Sequence, residues 1–382
     1  MKICVVTSTR AEYGLLKPLI KRISEDAELE LDLVVTGTHL AEKHGLTVDE
    51  IKKDAFPISY EIPILEEGNS AYDVSITMAN AIKGFAKCFR DDRPDMVVIL
   101  GDRTEMLGVA SAAMNERIPI AHISGGEVTE GAVDDCVRHA LTKMSYLHFT
   151  STKAYRNRVI QLGENPERVY CVGALGTENI LTQPLWSKEQ LRQDLGIDGD
   201  RPYVVMTYHP VTLEDNTVEE QIDELIAAMN SHPELFYVIT AANADAGGDE
   251  ANCLLKAYAD NHENALFVIS LGMIRYLSAV KYASFVLGNS SSGILEAPVL
   301  GTPTVNVGDR QRGRLQADTI VNCKAVKDDI SQAIDRALSM LHKATDMYGD
   351  GTTSKRIAQT IKDYLRNDKI DLKKQFFDLR QE

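Results

Sequence analysis

The stretch Gly288–Glu296 (GNSSSGILE) contains residue types that bind phosphate groups. It follows the apolar run Phe285–Leu287 and precedes apolar residues at helical spacing. A strand, a turn of small residues and a helix, in that order, direct free N–H groups and the helix dipole at an anion. The hydroxyl donors of the turn are Ser290, Ser291 and Ser292. The carboxylate of Glu296 suits the hydroxyls of a ribose. The alternative is a serine that only caps a buried helix.

Carboxylates cluster in the first half of the chain, where they follow predicted strands. They are Asp102, Glu127, Glu130, Asp134 and Asp135. Paired carboxylates with separated pKa values suit acid–base chemistry at a sugar carbon. A single carboxylate after a strand more often caps a helix. A catalytic site is therefore favoured only because several carboxylates occupy this position after strands. Further candidates in this half, which could line a ligand crevice, are Arg10, His39, Arg103 and His139.

Donors for a pyrophosphate are concentrated in the second half. Arg310 and Arg314 lie in the basic segment DRQRGR, and charge-assisted donors bind phosphate strongly. A solvated basic loop is the alternative. His209 follows a predicted strand and suits the charge of a leaving group, although a single histidine is more often packed in a core. Asn243 and Asp245 follow another strand and complete this set.

Short apolar runs alternate with helical patterns along the whole chain. Strands are predicted at residues 2–7, 31–36, 95–100, 118–123, 147–150, 169–172, 203–207, 236–240, 266–269, 285–287 and 304–307. Residues 46–80 have a mixed pattern with a loop at Glu66–Ser70. The alternation predicts the α/β class with doubly wound parallel sheets, and its interruption near residue 180 predicts two Rossmann-like domains.

The composition is that of a globular protein and excludes several classes. The 382 residues are 44% hydrophobic and 25% charged, with a net charge of −15. That charge disfavours nucleic acid and anionic membranes as partners. No apolar run approaches a membrane span, and the first residues lack a signal-peptide pattern. Six scattered cysteines without a C-x-x-C pair indicate buried thiols in a reducing compartment, so we expect a cytoplasmic protein.

Common cofactor and metal motifs are absent from the sequence. It has no H-E-x-x-H, no Cys/His cluster, no G-x-x-x-x-G-K-[ST] and no G-x-G-x-x-G after the first strand. The nucleophile elbow G-x-S-x-G is also absent. We therefore predict neither a metal nor a cofactor.

The combination of motifs resembles the UDP-N-acetylglucosamine 2-epimerase family, in particular its hydrolysing branch. The matching stretches, in chain order, are TSTRAEYG (7–14), VTGTHL (35–40), LGDRTEM (100–106), HISGGEVTEGAVDD (122–135), RHALTKMSYLHFTST (138–152), HPVT (209–212), NADAG (243–247), GNSSSGILE (288–296), GTPTVNVGDRQRGR (301–314) and YGDG (348–351). They cover nearly the whole chain.

The resemblance implies a GT-B architecture with two Rossmann-like domains, a cleft between them and a final helix that crosses back. The sugar and acid–base side would be residues 1–180, the UDP-binding domain residues 181–352, and the returning helix and tail residues 353–382. The family further suggests a homodimer or a homotetramer.

The resemblance also implies a reaction. UDP leaves C1 as the C2 proton is removed, and water adds to the resulting 2-acetamidoglucal to give N-acetylmannosamine for sialic acid synthesis. Asp102 and Asp134 would be catalytic carboxylates, and His209 would lie near the leaving diphosphate. The residues that would hold the UDP-sugar are Arg10, His39, Arg103, Asn243, Asp245, Ser290, Ser291, Ser292, Glu296, Arg310 and Arg314.

Ser124 departs from the family pattern. Several relatives have a catalytic Glu two residues after the histidine that matches His122, and a serine cannot act as a carboxylate base. Either Glu127 or Glu130 takes that role, or the pocket accepts another sugar. The alternative substrate is UDP-2,4-diacetamido-2,4,6-trideoxyglucose (UDP-N,N'-diacetylbacillosamine), used for legionaminic acid. A GT-B glycosyltransferase and a nucleotide-sugar sensor remain as more distant alternatives.

Overall fold

The chain folds into two compact units. The computed structural model describes residues 1–42, 45–68, 70–128, 133–210, 217–242, 248–367 and 370–379. Unit 1 contains Met1–Asn179 and Gly349–Glu382, and unit 2 contains Ile180–Tyr348. Unit 1 is therefore built from two separate stretches of the chain.

Unit 1 is organised around a 7-stranded parallel sheet with the order β3-β2-β1-β4-β5-β6-β7. Its strands are β1 Lys2–Thr7, β2 Glu30–Thr36, β3 Ile58–Ile62, β4 Met96–Leu100, β5 Ile120–Ile123, β6 Leu147–Thr150 and β7 Val169–Cys171. Its helices are α1 Arg10–Glu25, α2 Val48–Lys53, α3 Ala71–Asp91, α4 Thr104–Asn115, α5 Val133–Met144, α6 Lys153–Gln161 and α7 Leu175–Thr182, the last of which crosses the unit boundary.

Unit 2 repeats this plan with a 6-stranded parallel sheet of order β10-β9-β8-β11-β12-β13. Its strands are β8 Tyr203–Thr207, β9 Phe236–Thr240, β10 Ala265–Val268, β11 Phe285–Gly288, β12 Thr304–Val307 and β13 Ile320–Cys323. Its helices are α8 Lys188–Leu195, α9 Val218–Asn230, α10 Gly248–Asp260, α11 Met273–Tyr282, α12 Ser291–Ile294, α13 Glu296–Leu300 and α14 Lys327–Leu338. The chain then returns to unit 1 as α15 Thr353–Arg366.

The cores lie on both faces of each sheet. Every residue of β4, β5, β8 and β9 is buried, because helices cover the two faces of a parallel sheet. This explains why these strands are continuous apolar runs in the sequence. The predicted α/β class with doubly wound sheets is confirmed.

Two strands and one helix differ from the prediction. The strands β3 and β13 were missed, and both are edge strands with only partial burial. The long helix α3 begins inside the stretch that we interpreted as mixed. Its start is fixed by a capping box between Ser70 and Asp73.

The predicted single helix after Gly288 is wrong, since it is broken into α12 and α13 at Leu295. Pro298 explains the break. Proline has no N–H to donate to the carbonyl of Ile294, four residues earlier, and its ring collides with that carbonyl. Helix α12, which begins at Ser291, is therefore only four residues long.

The C-terminal segment is part of the unit 1 core. Ile357, Ala358 and Ile361 of α15 belong to the same buried cluster as strand β1. Beyond α15, Lys374 places its Nζ 2.8 Å from Oε2 of the buried Glu164. Glu164 also contacts Lys143 and His148, at 2.6 and 3.0 Å. None of the helices in the described part of the chain is long and apolar enough to cross a membrane.

Candidate functional site

Polar residues gather at the switch point of each sheet, where the strand order reverses. In unit 1 this point lies between β1 and β4, and in unit 2 between β8 and β11. In open parallel sheets, ligands bind at this point, outside the carboxyl ends of the strands. The segments Thr9–Glu12 and Gly101–Arg103 follow β1 and β4, and Tyr208–His209 and Asn289–Ser292 follow β8 and β11.

The unit 1 switch point holds a pocket of about 310 Å³. Its lining residues are Thr9, Ala11, Glu12, Leu15, Leu100, Gly101, Asp102, Arg103, Ser124, Glu127 and Arg138. The pocket thus brings together three of the predicted site residues, Asp102, Arg103 and Glu127. The Glu127 carboxylate accepts a hydrogen bond from the hydroxyl of Ser151 at 3.0 Å.

Arg138 organises the acidic side of this pocket. It is 5% exposed and donates to the carboxylates of Asp102 and, at 3.4 Å, Asp135. It lies on α5, three residues after Asp135, so both side chains project from one helix face. We did not select Arg138 from the sequence, although its i, i+3 spacing from a candidate carboxylate was a usable signal.

His122 supports the loop that carries Asp102 through a hydrogen bond to the loop backbone. Burial lowers the pKa of His122 to about 3, so the ring is neutral. Its Nε2 donates to the carbonyl of Gly101 at 2.7 Å, while Nδ1 lies 3.2 Å from the hydroxyl of Thr142. Nearby, Ser124 has a φ of 66°, in the left-handed region that non-glycine residues seldom adopt.

A second acidic network adjoins the pocket, and its members Glu12 and Arg103 line it. The hydroxyl of Ser8 lies 2.6 Å from Oε2 of Glu12 and 2.7 Å from Oε1 of Glu105. The Nε of Arg103 lies 2.7 Å from the same Glu105 oxygen. Burial, aided by the charge of Glu105 and opposed by hydrogen bonds from Ser8, raises the pKa of Glu12 to about 7. Glu12 and Glu105 were not selected from the sequence, because their burial is a tertiary property.

Three other candidates of unit 1 lie elsewhere. Arg10 is exposed at the start of α1, with its Nε 3.0 Å from Glu50, and Asp134 is exposed in the first turn of α5. His39 is completely buried, and its ring nitrogens lie 3.1 and 2.8 Å from the hydroxyls of Thr7 and Thr47. The predicted contact of His39 with substrate is therefore not supported by its position in the core.

In unit 2, Asn289 joins the loops that follow β8 and β11. Its side chain accepts from the N–H of His209 and donates to the carbonyl of His209, both at 2.7 Å. The carbonyl of Asn289 in turn accepts from Arg310 at 3.1 Å and from Gln311 at 2.8 Å. His209 and Arg310 are thereby attached to the serine turn at one end of the sheet.

The serine turn, Ser290–Ser292, is followed by the carboxylate of Glu296. Ser290 caps α12, in agreement with the alternative that a serine of this turn caps a helix. Ser292 accepts a hydrogen bond from Tyr276 at 2.8 Å. Burial raises the pKa of Glu296, while hydrogen bonds from its own N–H and from Ser292, and the charge of Arg314, lower it. Its Oε2 is buried and has no hydrogen-bond partner among the described residues.

Glu296 and Tyr276 line a pocket of about 900 Å³ that is mainly apolar. Other lining residues are Thr240, Ala242, Phe267, Ile269, Leu271 and Met273. Because α12 has only four residues, the predicted helix-dipole contribution to an anion site is small, and an anion here would depend on hydroxyl and backbone donors. Ser291 is partly exposed and Arg314 is exposed. The candidates Asn243 and Asp245 lie outside the described residues.

Among the residues that the structure describes, no group of three or more His, Cys, Asp or Glu side chains could hold a metal ion. The ligand groups of the two pockets are therefore hydroxyls, carboxylates, guanidinium groups and backbone donors.

Comparison with known proteins identifies the class. The sequence model of the family described as UDP-N-acetylglucosamine 2-epimerase matches residues 21–362. The chain therefore belongs to the UDP-N-acetylglucosamine 2-epimerase family.

Particular relatives are similar over nearly the whole chain. A Campylobacter jejuni protein named GDP/UDP-N,N'-diacetylbacillosamine 2-epimerase (hydrolyzing) is 40% identical, covering 88% of this chain and 87% of the relative. Polysialic acid biosynthesis protein P7 of Escherichia coli is 36% identical over 99% of this chain and 97% of its own length.

A solved structure has the same fold. The UDP-GlcNAc 2-epimerase of Neisseria meningitidis bound to UDP-GlcNAc superimposes with a TM-score of 0.77, covering 95% of this chain and 100% of that chain at 18% identity. The architecture is therefore the two-domain, GT-B-like Rossmann type.

Proposed function

We propose that the chain is a hydrolysing UDP-sugar 2-epimerase, which releases UDP and a free 2-epimeric sugar. The observation that carries the proposal is the acidic pocket at the unit 1 switch point, where Asp102, Glu127 and Arg138 meet. Such a cluster suits proton removal at a carbon, which a transferase does not need. Membership of the family and the hydrolysing name of the C. jejuni relative support the same reaction.

Unit 2 supplies the groups that hold UDP. The hydroxyls of Ser290 and Ser291 and the guanidinium of Arg310 donate to the diphosphate. The unpartnered Oε2 of Glu296 accepts from ribose hydroxyls, which satisfies a buried acceptor at the edge of the apolar pocket. The base then occupies the apolar part of that pocket. His209 lies near the leaving diphosphate and balances its charge.

Unit 1 supplies the acid–base groups. Asp102 removes the C2 proton, the C1–O bond breaks with its electron pair leaving on UDP, and a 2-acetamidoglucal forms. Water then adds its oxygen to C1 while C2 receives a proton on the opposite face. Glu127, which lines the same pocket, and Asp134, which is exposed in the first turn of α5, are further candidates for proton transfer, and Arg103 contacts the substrate.

Two substrates fit this reaction. UDP-N-acetylglucosamine would give N-acetylmannosamine for sialic acid, and it is the ligand of the Neisseria structure. UDP-N,N'-diacetylbacillosamine is favoured by the name of the C. jejuni relative. The two sugars differ at C4 and C6, which lie away from the reacting carbons. That name also includes GDP. GDP is therefore the comparison nucleotide when UDP binding is measured by isothermal titration.

Proton NMR in deuterated water tests the proposal. The protein is incubated with each UDP-sugar separately, and we expect UDP together with a free sugar that carries deuterium at C2. The sugar that reacts with the larger kcat/KM is the physiological substrate. Release of UDP without deuterium at C2 would contradict the epimerase reaction and favour a transferase. Tight UDP binding without turnover of either sugar would favour a sensor.

A further inference from the structure

Glu12 is a carboxylate of the unit 1 pocket that the reaction scheme above does not use. It lies in the first turn of α1 and lines the pocket together with Asp102 and Ser124. Its side chain is well buried, with 7% of the residue exposed. Oε2 accepts the N–H of Ser8 at 2.9 Å, whereas Oε1 has no hydrogen-bond partner in the described part of the chain. An unpartnered buried oxygen at a pocket wall is costly unless a ligand or a proton compensates it.

The contacts of Ser8 show where a proton must be. Its single hydroxyl lies within hydrogen-bond distance of two carboxyl groups, Glu12 at 2.6 Å and Glu105 at 2.7 Å. A hydroxyl has one proton to donate, so both contacts are satisfied when the other carboxyl is protonated and donates to the serine oxygen. Glu105 is paired with Arg103 at 2.7 Å, and burial raises the pKa of Glu12 to about 7, so we assign the proton to Glu12.

The proposed reaction requires an acid at this place. Inversion at C2 removes a proton from one face and returns a proton to the other, which takes two groups. Ser124, which lines the pocket, has no carboxyl group and cannot supply that acid. The pocket, at about 310 Å³, is at the small end for ligand sites, so a bound sugar ring contacts most of its walls.

We propose that Glu12 is the catalytic acid that returns the proton to C2 during hydration, with Ser8 and Glu105 as its proton relay. This inference rests on the proposed epimerase function. In the hydration step the water oxygen bonds to C1, the glucal double bond takes the Glu12 proton at C2, and the water proton replaces it on Glu12. The C2 proton removed earlier leaves Asp102 for solvent, which accounts for every proton.

The fate of the glucal tests the assignment. With Glu12→Gln, UDP release continues, while hydration of added 2-acetamidoglucal falls by about 100-fold or more, the scale of general acid catalysis. The variant therefore releases glucal in place of the free epimeric sugar, as measured by proton NMR. A residue that only supports the fold would slow both steps and leave the ratio of glucal to sugar unchanged.

Glu178 provides a matched control in the same unit. Its carboxylate accepts the N–H and the hydroxyl of Ser354, both at 2.6 Å, so it makes the same kind of glutamate–serine contact that Glu12 makes with Ser8. It does not line the pocket. Glu178→Gln makes the same chemical change in the same kind of motif, and we expect it to keep the wild-type ratio of products.

A second measurement uses the unmodified protein, in case Glu12→Gln does not fold. As pH rises through about 7, Glu12 loses its proton and glucal makes up a growing fraction of the wild-type product. The charged groups that face Glu12, or the pocket it lines, are Glu105, Arg103, Asp102, Glu127 and Arg138.

The outcomes separate this inference from the proposed function. Wild-type turnover with an unchanged product ratio in Glu12→Gln, or a wild-type ratio independent of pH between about 6 and 8, overturns the role of Glu12 alone. A wild-type protein that releases no UDP from either sugar overturns the proposed function and this inference together.

Discussion

The pocket at the unit 1 switch point and the larger pocket of unit 2 differ in chemistry. The unit 1 pocket is small, and its charged groups pair with one another, Asp102 with Arg138 and Arg103 with Glu105. The unit 2 pocket is nearly three times larger and mainly apolar, and the carboxylate at its edge, Glu296, has an oxygen without a partner. In the proposed function, the first pocket moves protons and the second receives a ligand with hydroxyl groups.

This contrast shows that the doubly wound fold provides only the place for a site. Both pockets lie beyond the carboxyl ends of parallel strands. The unit 1 pocket lies at the switch point between β1 and β4, and the unit 2 pocket lies beyond β9 and β10 with Glu296 at its edge. The few residues that follow those strands decide what each pocket does. The comparison predicts that substitutions in unit 1 alter the chemical step, while substitutions in unit 2 alter binding.

Removing the carboxylate of Asp102 should have the largest effect. We expect Asp102→Asn to lower kcat by about 10²–10⁴-fold, the scale of a lost general base, and to leave the dissociation constant for UDP within about threefold. Isothermal titration with UDP and NMR turnover measure the two quantities. Near-normal turnover would show that another group removes the C2 proton.

Removing the guanidinium of Arg310 should instead weaken binding. Arg310→Ala should reduce UDP affinity by roughly 1.5–3 kcal/mol, the value of a hydrogen bond to a charged group. Arg312→Ala is the matched control, because Arg312 is exposed on the same loop. If both variants bind UDP as tightly as the wild type, the diphosphate lies elsewhere, and the division between the pockets fails.

The smallest effect concerns stability and is confined to unit 1. Lys374→Met removes one partner of Glu164, and we expect a loss of about 1–2 kcal/mol in urea unfolding, because burial lowers the pKa of Lys374 and offsets part of the ion pair. The exposed Lys373→Met is the control.

The pH dependence of that difference sharpens the test. Burial alone would raise the pKa of Glu164, but His148, Lys143 and Lys374 lower it to about 2. A depressed carboxyl pKa stabilises the fold above the unfolded value near 4.5, and this stability is lost as pH falls through about 2. The difference between Lys374→Met and the wild type should therefore shrink below about pH 4. A difference that persists to pH 2 would contradict the charge argument.

Much of the fold could be predicted because the central strands are buried on both faces. Strands such as Tyr203–Thr207 are unbroken apolar runs, and their bounds agree with the prediction. Ile58–Ile62 alternates between partial burial and exposure at a sheet edge, which gives no such run. The break at Leu295 could have been predicted only by giving Pro298 more weight than the apolar pattern around it.

The candidate site was predictable where residues follow strands directly. Asp102, Glu127 and the serine turn were found in this way. Arg138 lies inside a helix, and Glu12 has a special environment only because Glu105 and Ser8 pack against it. His39 is the opposite case. It follows a strand, but it is buried in the core, where two hydroxyl groups pair with its ring nitrogens.

The assembly of unit 1 from two chain segments has a consequence during protein synthesis. Unit 2 is encoded as one continuous stretch, so it can fold as soon as it leaves the ribosome. The first 179 residues lack α15, whose Ile357 and Ile361 complete their core. At translation rates of about 5–20 residues per second, the N-terminal segment waits roughly 9 to 37 seconds for that helix. During this interval its apolar surface is exposed in the nascent chain and is a natural target for chaperones.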